Sequence, residues 1–104
     1  MKQTALKAAT IFAFILVAIA AVALYFQTEE RKKQRAEELY VTSEKLAQEG
    51  DVFEAEKKLD EASKLSPQEP KYKFALGKIF EREGDYTRAE ESFVQASELD
   101  PANA

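Results

Sequence analysis

The feature that most limits how this chain can fold is a run of 21 residues without a charged side chain, from Ala8 to Thr28. As an α-helix this run would be about 30 Å long, which is the thickness of a bilayer's hydrocarbon core. The rest of a 104-residue chain is too small to bury a helix that is apolar on every side. The sequence therefore predicts a transmembrane helix at residues 8–26, between a short basic tail at 1–7 and a basic juxtamembrane segment at 27–35.

A cleaved signal peptide is the competing interpretation of the same run. Lys2 and Lys7 precede it, and the small residues at 18–20 or 21–23 resemble a cleavage site. The apolar run nevertheless continues through residues 24–26, without the polar region that normally precedes such a site. We therefore favour an uncleaved anchor.

The orientation of the predicted span stays open. Two Lys or Arg residues precede the span and four follow it closely, which favours a cytoplasmic C-terminal domain. A short basic tail before an apolar run is also how an exported signal anchor begins. On the second pattern we expect the C-terminal domain to be extracytoplasmic, with the cytoplasm as the alternative.

Charge is distributed unevenly along the chain. From Ala36 to Ala104 there are 17 acidic and 9 basic residues, which gives this part a net charge of −8. Such an acidic domain should repel nucleic acid, because phosphate binding requires clustered Lys and Arg. The basic residues next to the span are expected to contact lipid headgroups instead; they are Arg31, Lys32, Lys33 and Arg35.

The residue inventory argues against catalysis. Cysteine and histidine are both absent, which removes any thiolate nucleophile or thiolate metal site, the commonest general base and the commonest metal ligand. The adjacent acidic pairs, such as Glu90 and Glu91, diverge on a helix surface. No glycine-rich phosphate loop or metal-ligand cluster is present in the sequence. We therefore predict that the protein is not an enzyme and uses no cofactor or metal.

A shift of 34 residues aligns the C-terminal part of the sequence with itself. Alanines and a larger apolar residue recur at the i, i+4, i+7 spacing of one helix face, and glycine followed by aspartate separates the helices. The pattern predicts helices at 36–49, 53–65, 69–83 and 87–99. The aligned pairs are Gly50/Gly84, Asp51/Asp85, Ala55/Ala89, Leu59/Phe93, Ala62/Ala96, Leu65/Leu99 and Pro67/Pro101.

The second copy carries the fuller motif: Leu76-Gly77-x-x-Phe80, Gly84-Asp85-Tyr86, and Ala89-x-x-x-Phe93-x-x-Ala96-x-x-Leu99-x-Pro101. This motif resembles the tetratricopeptide repeat family. In the first copy Thr42 and Ser43 replace the Leu-Gly pair. The resemblance implies two repeats, 36–69 and 70–103, within 36–101. The expected fold is all-α: one N-terminal transmembrane helix followed by two antiparallel helical hairpins, a TPR-like α-solenoid fragment.

Two arrangements remain open between the span and the first repeat. No glycine or proline precedes Gly50, so the membrane helix could run unbroken into the first repeat helix. Alternatively, the chain could break at Thr28, whose hydroxyl would cap a new helix opened by Glu29 and Glu30.

The resemblance also implies a binding surface, because the first helix of each repeat in this family lines a concave groove for peptides or partner helices. The groove positions in this sequence are Glu37, Tyr40, Glu44, Lys71, Phe74 and Lys78. Tyr40 and Phe74 would form a short aromatic step. The alternative is that both rings only pack, while Glu37 pairs with Lys71 and Glu44 with Lys78, which would contribute little at an exposed site.

We therefore expect a membrane-anchored adaptor or assembly factor that recruits a protein to the bilayer. Its layout resembles bacterial inner-membrane proteins that carry such repeats behind an N-terminal anchor. The alternative is a small accessory subunit of a larger membrane complex, held through its span. Expected partners are the bilayer and a protein, either a peptide or helix in the groove or the subunits of that complex; homo-oligomer formation stays open.

Overall fold

The computed structural model describes residues 2–100. They form four α-helices: α1 (Lys2–Gln48), α2 (Val52–Leu65), α3 (Pro70–Arg82) and α4 (Tyr86–Leu99). The expected all-α fold, with a long apolar N-terminal helix followed by helical hairpins, is confirmed. The repeat-helix bounds lie within one residue of those expected, except that the first repeat helix has no start of its own at residue 36 because it is the C-terminal part of α1. The predicted helix stop at Pro101 lies outside the described residues.

The chain divides into two units, Met1–Arg31 and Lys32–Ala104. Within residues 2–28 every side chain is exposed, and α1 is long and apolar enough to cross a membrane. Thr28 does not open a new helix, because its hydroxyl donates a 2.9 Å hydrogen bond to the Leu24 carbonyl one turn earlier. Of the two arrangements left open by the sequence, the structure therefore contains the unbroken helix.

Within the second unit, the same turn joins the helices of both hairpins. Gly50 and Gly84 have φ angles of +87° and +80°, a conformation that glycine adopts easily and that commonly ends helices. The next residue caps the following helix: an Asp51 carboxylate oxygen accepts from the Glu54 N–H at 3.4 Å, and one of Asp85 accepts from the Arg88 N–H at 3.2 Å. The 34-residue shift thus relates local geometry as well as sequence.

Helix α3 begins one residue later than the spacing predicted. Pro70 occupies its first turn, where proline's missing N–H costs no hydrogen bond. The preceding residue, Glu69, is extended (φ −85°, ψ 111°), as the residue before a proline tends to be. The Glu69 carboxylate then accepts from the Lys71 N–H and caps the helix.

Small residues allow the repeat helices to pack closely. Two buried clusters form the core of the second unit, and each contains alanines from the repeat motif. Burial of apolar side chains around them is the main stabilising contribution, at about 25 cal/mol per Å² removed from water. The first cluster contains Ala55, Leu59, Leu76, Ile79, Phe80 and Ala89, and the second contains Ala36, Leu39, Ala62 and Tyr72.

Candidate protein-binding groove

A concave depression of about 340 Å³ lies between the C-terminal part of α1 and helix α3. Because positions i, i+3 and i+7 share one helix face, each helix presents three of the predicted groove residues together. Five of the six line the depression, namely Tyr40, Glu44, Lys71, Phe74 and Lys78, and buried Leu59 and Ile79 also border it. Glu37 lies beside it, paired with Lys71.

One end of the groove is a network built around Glu37. Its carboxylate forms an ion pair with Lys71 and accepts a 3.2 Å hydrogen bond from the Tyr72 hydroxyl. The Lys71 ammonium lies 5.0 Å from the centre of the Tyr40 ring and 5.6 Å from that of Tyr72. These two rings are themselves 5.6 Å apart. The network joins the two hairpins through charge, hydrogen bonding and cation–π attraction.

The other end of the groove is built around Phe74. The Lys78 ammonium lies 4.7 Å from the centre of the Phe74 ring, and Phe74 packs against Phe93 with ring centres 5.4 Å apart. Lys78 therefore lies next to the Phe74 ring, whereas charge alone suggested an ion pair with Glu44. Arg82, one turn beyond Lys78, donates a 3.4 Å hydrogen bond to the Ala47 carbonyl across the groove.

Both groove tyrosines hold their protons tightly. Hydrogen bonding to Glu44, partial burial and the negative charges of Glu44 and Glu37 raise the pKa of Tyr40 to about 12. Burial, the charge of Glu37 and the hydrogen bond to it raise the pKa of Tyr72 to about 12. At neutral pH both hydroxyls are therefore protonated, and each can donate a hydrogen bond.

The two aromatic residues of the predicted step differ in exposure. Tyr40 is partly buried and contributes to both core clusters, whereas Phe74 keeps 48% of its surface exposed. Tyr40 thus has a packing role as well, while Phe74 presents apolar surface that a partner could cover.

Sequence reasoning missed three residues of this surface: Tyr72, Arg82 and Phe93. Arg82 could have been found by extending the Lys71–Lys78 spacing by one further helical turn. Tyr72 lies on another face of α3, and its hydroxyl reaches Glu37 only because α1 and α3 cross at that point. Phe93 contacts Phe74 from α4, a contact that no local spacing indicates.

The four basic residues predicted to contact lipid are all exposed on α1; they are Arg31, Lys32, Lys33 and Arg35. Arg35 also forms a 3.5 Å ion pair with Glu38. Within residues 2–100 no group of three or more acidic side chains is arranged to hold a metal ion.

Comparison with known families gives one match. Residues 70–103 match the family model of the tetratricopeptide repeat, over the same bounds as the second repeat expected from the sequence. No curated protein matches the chain. The match covers α3, the Gly84 turn and α4, which supply one wall of the groove. Residues 70–103 therefore form a tetratricopeptide repeat.

Proposed function

We propose that this protein is a membrane-anchored adaptor or assembly factor that binds a segment of a partner protein in the groove between α1 and α3. The tetratricopeptide repeat suggests a role in protein–protein interaction. The observation that carries the proposal is Phe74, a half-exposed ring that lines a concave, charged surface. Exposed aromatic residues in such depressions commonly act as binding anchors.

The chemistry of the groove limits what it can accept. Lys71, Lys78 and Arg82 lie along the α3 wall, while Glu37 and Glu44 lie along the α1 wall. A segment with an acidic side facing α3 and an apolar residue over Phe74 matches this surface. Binding such a segment would weaken the Glu37–Lys71 pair, because the partner's carboxylate would compete for the same ammonium group.

For the membrane part, we propose that residues 8–26 remain as an uncleaved span in the bacterial inner membrane, with the repeats on the extracytoplasmic side. The apolar, exposed surface of α1 supports a membrane location, although a signal sequence has the same composition. Arg31, Lys32, Lys33 and Arg35 would then contact anionic headgroups. Mass spectrometry of the membrane-extracted chain should find an N-terminus at Met1 or Lys2, and a start at Ala21 or Leu24 would contradict the anchor.

The groove is tested by capturing the partner in the producing cells. A photo-crosslinking residue at Glu44 should yield one dominant protein adduct. Combining it with Tyr40→Ala and Phe74→Ala should reduce the adduct at least tenfold, while Val41→Ala and Phe53→Ala, exposed outside the groove, should not. Circular dichroism provides the folding control. Loss of helicity in the double variant would show that the two rings are core residues.

The second candidate is an accessory subunit held through its span. It is favoured by the side chains of residues 2–28, which are all exposed and therefore available to other membrane helices. Detergent solubilisation and mild affinity purification separate the two candidates. A stoichiometric complex that survives deletion of residues 36–104 supports the subunit, whereas partners lost with the repeats support the adaptor.

A further inference from the structure

Helices α3 and α4 form a largely apolar surface that adjoins the groove at Lys71 and Phe74. Two adjoining clefts of about 610 and 670 Å³ lie on it, and Phe93 lines both. Tyr86 is 70% exposed and Val94 is 49% exposed at the first cleft. Phe74 and Ala96 line the second. We call these five residues the open face.

The internal repeat shows what covers the equivalent surface of the first hairpin. A shift of 34 residues relates Phe93 to Leu59 and Ala96 to Ala62. Leu59 is 1% exposed and Ala62 is fully buried, because helix α3 packs over both: Leu59 shares a cluster with apolar residues of α3, and Ala62 packs with Tyr72. Within residues 2–100 no helix covers the open face in the same way. The open face therefore has the shape of a docking site for one amphipathic helix.

Charge indicates which kind of helix fits. Helix α3 carries four basic residues and one acidic residue, whereas α4 carries one basic residue and three acidic residues. The first cleft is bordered by Glu81, Glu90 and Glu98. At the positions of Glu81 and Glu98 the first hairpin has Ala47 and Lys64. The open face is thus more acidic than the covered one, and a helix with basic flanks complements it.

We propose that the open face binds a basic amphipathic helix of a partner protein, seated as α3 is seated on the first hairpin. A second copy of this chain fits the surface poorly. Two open faces in contact would bring the glutamates of both rims together, which is unfavourable. Elsewhere in residues 32–100 the exposed large apolar side chains are Val41 and Phe53, which α1 and α2 present singly and not as a stripe.

The test uses the full-length chain in nanodiscs of neutral phosphatidylcholine and a fluorescent, end-capped peptide with the α3 sequence, residues 70–82. The control peptide carries glutamate at the four basic positions. Anisotropy should show binding of the α3 peptide, with the control peptide at least tenfold weaker. Ser97→Arg, at a residue that lines both clefts and is equivalent to buried Ser63, should weaken binding at least tenfold, a change equivalent to about 1.4 kcal/mol. Phe53→Glu, on a different surface, should leave binding unchanged, and empty nanodiscs should bind neither peptide.

Four results would overturn the proposal. They are absence of binding up to about 1 mM peptide, equal binding of the two peptides, binding unaffected by Ser97→Arg, and disulfide formation between copies carrying Ser97→Cys. Tyr40→Ala separates this surface from the groove. If Tyr40→Ala abolishes binding and Ser97→Arg does not, the peptide occupies the groove, so the proposed function stands and this inference fails. Unchanged circular dichroism of each variant shows that the repeats remain folded.

Discussion

The two hairpins differ in one pair of side chains at equivalent positions of their two helices. In the second hairpin Gly77 lies against the Phe93 ring, and a Cβ atom at residue 77 would lie 2.5 Å from the nearest ring carbon. In the first hairpin the equivalent residues are Ser43 and Leu59, both buried. In the second hairpin the large Phe93 ring is paired with glycine, which has no side chain. In the first hairpin the smaller Leu59 is paired with the larger Ser43.

This comparison shows that the repeat preserves the helix packing and not the individual side chains. The Ser43 hydroxyl is accommodated because it donates a 2.6 Å hydrogen bond to the Tyr40 carbonyl in its own helix, so the buried polar group is satisfied. The hairpins also differ in cover, since α3 covers Leu59 while Phe93 borders the open clefts. The size of the paired side chain and the presence of a covering helix should together determine how much stability a substitution at each position costs.

The largest expected effect tests the difference in cover. Leu59→Ala should lower the free energy of unfolding by about 2–5 kcal/mol, because it leaves a cavity beneath α3. Phe93→Leu, at the equivalent position, should cost less than about 1.5 kcal/mol, because one side of the ring borders open space. Urea denaturation of the full chain in detergent micelles, followed by tyrosine fluorescence, measures both. Equal losses would contradict the distinction between a covered and an open hairpin.

The next prediction tests the matching of sizes. Gly77→Ser should lower the free energy of unfolding by about 1–3 kcal/mol, because the new side chain forces Phe93 out of place. Adding Phe93→Leu recreates the Ser43–Leu59 pair of the first hairpin and should recover most of the loss. A double-mutant cycle measures this coupling. Additive losses would mean that the two positions are independent and that the pairing is coincidental.

Local residue patterns were sufficient to predict the repeat helices and their turns. Glycine with positive φ, a capping aspartate and alanines at helical spacing each act within one or two turns of chain. The continuity of α1 was not determined in this way. Thr28 could either cap a new helix or donate to a carbonyl one turn earlier, and both interactions are local. The sequence therefore offered two solutions, of which the structure contains the second.

The groove was only partly predictable for a related reason. Helical spacing predicted which residues of α1 and α3 share a face, but their partners depend on where the helices cross. Lys78 has carboxylates within its sequence neighbourhood, yet it lies over the Phe74 ring. The open face was missed altogether. Ser97 is exposed whereas the equivalent Ser63 is buried, a difference that depends on which neighbouring helix is present and that no pattern within α4 encodes.

A smaller effect tests what the hairpins share. Gly50→Ala and Gly84→Ala should each lower the free energy of unfolding by about 1–2 kcal/mol, because an L-residue is strained at these positive φ angles. A Cβ atom at either position has no neighbour within 4 Å, so no steric difference should separate the two values. The same denaturation assay measures both. Values that differ by more than about 1 kcal/mol would mean that the turns are not equivalent.

The last prediction concerns the contact between one tyrosine from each hairpin. Tyr40 and Tyr72 have pKa values raised from 10.0 to about 12, so between these values the unfolded chain has released a proton that the folded chain still holds. Their contribution to stability is complete below pH 10 and is lost as the pH rises towards 12, by at most about 1.4 kcal/mol per pH unit for each tyrosine. Tyr40→Phe and Tyr72→Phe should each make this decline shallower, and comparison with the unaltered chain isolates the contribution of each tyrosine. Phenolate absorbance in the folded protein should correspondingly lose a late-titrating component in each variant. If the free energy of unfolding falls with pH as steeply in both variants as in the unaltered chain, the glutamates of the groove do not hold either tyrosine proton. The network that joins the hairpins is then weaker than its geometry indicates.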